Sequence, residues 1–205
     1  HAAELIGQDD VQELLDNLSS VTPQLVQSVV PKLMPLHNLT SVLRHILRER
    51  IPISDLRLIL ELLSEMASRN LGIAEMAEAL RPHLVGLLIQ QTTPLNQPLP
   101  VVTLDSDFEH LLINSAKHSE GEQLMLDGTL AERLVQSLVK LHEEQAETGK
   151  KAFLVVSPQI RRKFSAFLRQ YIADFPVLSF TELPDGRKVD VIATVSGEEA
   201  LTPAK

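Results

Sequence analysis

Cysteine and tryptophan are both absent from this sequence, tyrosine occurs once, and aromatic residues make up only 3% of its 205 positions. Without thiols, disulfide frameworks and thiolate chemistry are excluded, which fits a reducing compartment. So few aromatics argue against binding RNA or single strands by base stacking. They also mean that the core is assembled from Leu, Ile, Val and Ala. Glycine-rich phosphate loops are missing as well. Gly121, Gly128, Gly149 and Gly186 stand singly, as turn glycines do. No apolar run approaches the ~18 residues of a membrane span, and the longest one, at 80–89, is broken by Arg81, Pro82 and His83. The formal net charge is −8, which disfavours non-specific affinity for DNA or anionic membranes. The chain opens on His1 with no secretory leader pattern and reads as a piece cut from a longer protein.

What is present is ordinary globular material, 44% hydrophobic and 22% charged, and long enough for one large or two small cores. The first half reads as helix throughout. Asp9 or Asp10 suits an N-cap for a helix over 11–18, and Thr22-Pro23 pairs an N-cap with proline at the first helical position. The stretch 36–65 is the most informative. Leu36, Leu39, Val42, Leu43, Ile46 and Leu47 recur at three- and four-residue spacing, the pattern of one buried helix face. Ile51-Pro52-Ile53 breaks that helix, because proline lacks an amide hydrogen and disfavours the α conformation before it. Ser54 then suits an N-cap and Asp55 a helix start, ahead of a second stripe at Leu56, Ile59, Leu60, Leu63 and Met66. A further helix spans 73–90.

Residues 91–100, QTTPLNQPLP, hold three prolines and no periodicity. Beyond them the character changes. Short apolar runs at 101–104, 153–156, 177–180 and 189–195 read as strands, and 106–117, 129–146 and 158–172 as helices. Pro184-Asp185-Gly186 reads as the turn of a hairpin joining the last two strands. The predicted class is therefore mixed α+β. It comprises a helical-bundle subdomain at 1–91, a linker at 92–100, an α/β subdomain at 101–196 with about four strands, and a disordered tail at 197–205.

Residues that would carry chemistry are thin. His37 and His45 are eight apart, so they lie two turns apart on one helix side, about 12 Å along its axis and too far for shared ligation. No GxSxG elbow appears. Ser157-Pro158 is better read as an N-cap than as a strand-end nucleophile. Glu143-Glu144 and Glu198-Glu199 sit on solvated segments. Two basic groups stand out: Arg161, Arg162 and Lys163 at a helix start, and Arg44, Arg48 and Arg50 around the elbow. A helix–elbow–helix with basic residues is also the outline of a DNA-binding helix-turn-helix. That makes a transcriptional regulator with an α/β ligand-binding domain the alternative reading. Against it, Arg57 is the only basic residue from Ser54 to Met66, where Asp55, Glu61 and Glu65 would repel phosphate. An α/β hydrolase-like enzyme is the third class, and it would need a pocket with a shifted carboxylate or histidine.

Several motifs together resemble one family. They are IGQDDVQELLDNL from Ile6, LVQSVVPKLMPLHNLTSVLRHILRERIPISDLRLILELLSEMA from Leu25, and LPVVTLD from Leu99. A LMLD step at 124–127, FLVVSPQIRRKFSAFLRQ from Phe153 and FPVLSFTELPDGRKVDVIATV from Phe175 complete the series. In this order they resemble the C-terminal cytoplasmic domain of the type III secretion export-gate family, which serves flagella and injectisomes. The chain departs from that pattern at Ser54, where the family usually has arginine, and at Asp9, where it usually has glutamate. The resemblance covers the third (helical) and fourth (α/β) cytoplasmic subdomains and implies an inner-membrane protein with this part on the cytoplasmic side. It implies a nine-membered ring and partners among export chaperones, their cargo, gatekeepers and other export-apparatus proteins. It implies no catalytic residues, cofactor, metal or nucleic acid, with membrane attachment through a missing N-terminal region. The flagellar branch is slightly favoured. On this basis Arg44, Arg48, Arg50, Asp55 and Arg57 are the expected subunit contacts, and Arg161, Arg162 and Lys163 the expected partner-docking residues.

Overall fold

The computed structural model describes residues 6–119, 121, 124–149, 151–197 and 202–203. It divides into two compact units, His1–Gln91 and Thr92–Lys205. The first holds five α-helices among its described residues: α1 (Gln8–Ser19), α2 (Pro23–Val29), α3 (Leu36–Arg48), α4 (Leu56–Met66) and α5 (Ile73–Thr92), the last ending one residue into the second unit. Their leucine stripes meet in a core that includes Leu15, Leu39, Leu43, Ile46, Ile59, Leu60, Leu80 and Leu84.

Two expected caps fall elsewhere. Gly7, not Asp9 or Asp10, is the N-cap of α1, and Asp10 reaches back to accept the Gly7 amide at 2.7 Å. Asp55, not Ser54, caps α4, its Oδ1 accepting from the Leu58 amide at 3.0 Å. The end of α3 is also set differently from the sequence reading. The helix stops before Pro52 acts, in a turn with Arg50 at φ +60°. The Arg50 amide donates to the Leu47 carbonyl (2.9 Å) and the Ile51 amide to the Ile46 carbonyl (3.3 Å), the two bonds of a Schellman cap. Ile51 is buried, which supplies the apolar contact such a cap favours.

The second unit begins its strands at β1 (Leu99–Leu104), followed by α6 (Ser106–His118), α7 (Gly128–Thr148), β2 (Phe153–Val156), α8 (Pro158–Leu168), β3 (Val177–Ser179), β4 (Val189–Val195) and β5 (Thr202–Pro203). The irregular stretch between α5 and β1 is thus 93–98. The sheet order is β3-β2-β1-β4-β5, with β1 to β4 parallel and β5 antiparallel to β4. The mixed α+β class therefore holds. The expected hairpin does not. Pro184-Asp185-Gly186 is a genuine turn, with the Arg187 amide bonded to the Pro184 carbonyl and Gly186 at φ +70°, but β3 and β4 lie on opposite sides of β1–β2. Val177 and Leu178 are fully apolar and buried, so β3 takes the buried parallel place beside β2. A 3-10 turn at Phe180–Glu182 then leads the chain away. Of the segment expected to fray, Thr202–Pro203 forms β5, and 198–201 and 204–205 lie outside the described residues.

All three helices pack on one face of this sheet. Val102, Leu104, Leu154, Val156, Val177, Ala193 and Val195 share a core with Phe108, Leu112, Leu134, Leu138, Ile160 and Phe164. A one-residue bulge in β4, where pairing jumps from Val101–Val191 to Val102–Ala193, turns its second half toward that core.

Candidate functional site

The elbow between α3 and α4 brings the expected contact residues onto one connected stretch, but they differ in what they do. Arg44 is half-buried, and its Nε donates to the Ile6 carbonyl at 2.9 Å, which ties α3 to the start of the chain. Asp55 is spent on its cap. Arg57 is exposed and pairs with Glu61 at 2.9 Å one turn along α4. Arg48 and Arg50 are exposed. As a DNA-reading helix α4 would be poor: Leu56, Ile59, Leu60, Leu62, Leu63 and Met66 are buried, and its one cation already faces a carboxylate.

The basic trio on α8 is placed unlike the docking patch expected of it. Arg161 is only 1% exposed and donates from Nη1 to the Val177 carbonyl at 3.3 Å, so it holds β3 from within. Lys163 donates to the carbonyls of Ala116 (2.7 Å) and Ser119 (2.9 Å), which are left open where α6 ends. Arg162 is half-buried. Ser157 is the N-cap of α8, as the Ser-Pro pattern indicates, its Oγ accepting from the Gln159 amide at 3.4 Å.

Sequence reasoning missed three features. Arg81 on α5 forms an ion pair with Glu49 at 3.2 Å, the side chains being 4% and 13% exposed. The signal was an arginine inside an apolar stripe, where an unpaired charge is too costly to persist. Glu109 on α6 accepts the Ser157 amide at 2.6 Å, across the ends of two elements. No local pattern announces that bond.

The third is a cavity of about 710 Å³. The strand order reverses between β1 and β4, and the carboxyl ends of two such strands open a crevice in parallel sheets. Asp105 and Ser196, the residues directly after these strands, line it, with Gly197 beside them. Asp107, Phe108 and Leu111 on the first turns of α6, and Leu130 at the start of α7, complete the described walls. Asp105 is held as the α6 cap, accepting from the amides of Asp107 (3.2 Å) and Phe108 (3.4 Å). A methyl group on Gly197 would stand 3.1 Å from the Phe108 ring, so glycine permits the close wall. Among the described residues no group of three or more His, Asp or Glu is placed to hold a metal ion.

The profile of one protein family, the FHIPEP family, matches residues 1–188. The chain belongs to the FHIPEP family. It is 34% identical over 197 residues to the flagellar biosynthesis protein FlhA of Salmonella typhimurium, covering 96% of this chain and 28% of that protein. It is 25% identical over 202 residues to the secretion system apparatus protein SsaV of the same species, covering 98% of this chain and 29% of that one. Its fold is that of the nonameric EPEC SctV-C solved by cryo-EM, with a TM-score of 0.83, 22% identity, and cover of 95% of this chain and 58% of that one. The FHIPEP chain thus spans a little over a quarter of the length of its curated relatives. Such proteins belong to flagellar and type III secretion apparatus, and no helix among the described residues here is long and apolar enough to cross a membrane.

Proposed function

We propose that this FHIPEP chain is part of the cytoplasmic domain of a type III export gate. In this reading it forms a ring with copies of itself and docks chaperone–cargo complexes and gatekeepers for export, with the parent protein held in the bacterial inner membrane. The observation that carries the proposal is the family match across 188 residues, joined to a fold shared with a domain solved as a nonamer. Identity of 34% to a flagellar relative against 25% to SsaV favours the flagellar branch.

For the ring, Arg48 and Arg50 offer exposed positive charge beside the elbow, and Arg57 lies exposed on α4 with Glu61 as its partner. The net charge of −8 supplies acidic surface for a neighbour to present. Sedimentation velocity over rising protein concentration tests this. Association should be salt-sensitive and weakened by Arg48→Glu with Arg57→Glu, whereas a monomer at every concentration, with and without those changes, rejects self-assembly by this chain. Docking is tested by capture of purified export chaperone–cargo complexes, and no capture at any concentration rejects it. The regulator reading gains nothing from α4, whose apolar face is buried and whose arginine is paired.

A further inference from the structure

The cavity at the carboxyl ends of β1 and β4 carries a specific chemistry. Its rim carries Asp105 and Asp107, while Phe108, Leu111 and Leu130 form apolar walls. Asp105, Asp107 and Phe108 place the amino end of α6 at its wall, and such ends ordinarily favour anions. Here that preference is reversed. Asp105 satisfies the first α6 amides, and Asp107 adds a second carboxylate in the same turn, so a phosphate or carboxylate ligand would meet two negative charges. A cation is favoured instead.

The apolar part does not stop at the cavity. Leu111 is 48% exposed at its mouth. One turn further along α6, Ser115 donates to the Met125 carbonyl, which sets Met125, 72% exposed, beside the same helix side. Exposed apolar side chains that continue outward from a cavity mark a protein-binding surface rather than a closed site for a metabolite. About 710 Å³ lies within the range of well-formed ligand pockets, which is room enough for anchoring side chains.

We propose that this cavity receives an amphipathic segment of a protein partner. One apolar side chain enters against Phe108, Leu111 and Leu130, and a neighbouring Lys or Arg pairs with Asp107. The proposal stands on this unit alone and does not depend on ring formation or on the export reading.

The test is calorimetric titration of the chain with a synthetic peptide of Lys and Leu in helical spacing, and with its Glu-for-Lys counterpart. The Lys peptide should bind and the Glu peptide should not. Asp107→Lys and Leu111→Ala, each checked for native circular dichroism, should weaken binding by about tenfold or more, as central anchor residues do. Glu143→Lys makes the same charge change on an exposed part of α7 away from the cavity and should leave affinity within about twofold, since distant surface charges are screened. Equal binding of both peptides overturns the proposal. So does an equal loss from Glu143→Lys and Asp107→Lys, or unchanged affinity in Leu111→Ala.

Discussion

Two arginines of this chain are buried for structural reasons, and neither is available to a partner. Arg161 is enclosed under β3, so Arg161→Ala removes a buried donor to the Val177 carbonyl. A cost of about 2–4 kcal/mol is expected in urea unfolding, in the range for removing a buried charged donor. Arg162→Ala, at a half-buried position, should cost much less. Any loss of partner binding in Arg161 variants would then track unfolding. Arg81→Ala breaks a nearly enclosed ion pair with Glu49, for an expected cost of about 3 kcal/mol. Arg57→Ala breaks an exposed i,i+4 pair and should cost about 0.5 kcal/mol or less in the same assay. Arg50 points the other way. It holds φ +60° without being glycine, so Arg50→Gly should raise the thermal midpoint, through a gain of about 1 kcal/mol from relieved strain.

At the level of elements, the sheet is uneven in how well it is covered. β2 is buried along its whole length between β1 and β3, while Val189 and Val191 at the start of β4 are exposed. β5 pairs only with Ala193 and Thr194, which leaves the first half of β4 without a described outer neighbour. Hydrogen exchange followed by NMR should therefore show slow amides across Phe153–Val156 and faster exchange at the outward-facing amides of 189–191. The bulge near Ile192 explains the difference. Strict alternation of Val189, Val191, Ala193 and Val195 puts all four on one face of a regular strand. The inserted residue sends the first two to the face of Val101 and the last two to the face of Val102.

On the scale of the whole molecule, the helical and α/β units each bury their own leucine-rich cores, and the core under the sheet is drawn entirely from residues 102–195. A polypeptide of residues 92–205 should then unfold cooperatively on its own, with mixed helix and strand signal in circular dichroism. A non-cooperative melt would show that this core is incomplete without the first unit.

Much of this protein is written locally. The stripes of 36–65 dictate two helices because three- and four-residue spacing of leucine has only one buried solution. Ser157-Pro158 dictates a helix start, and the β1, β2 and β4 runs read as strands from their β-branched residues. The mixed class and the family resemblance follow from those elements in order. Tertiary structure alone decided the rest. It placed β3 beside β2 instead of in a hairpin, because strand partners are chosen by burial across the sheet and not by the turn between them. It buried Arg161 and tied down Lys163, which a string shows only as positive charge, because carbonyls 16 to 47 residues away needed donors. It also formed the cavity, since two strand ends 91 positions apart meet only when a sheet reverses its order at that point.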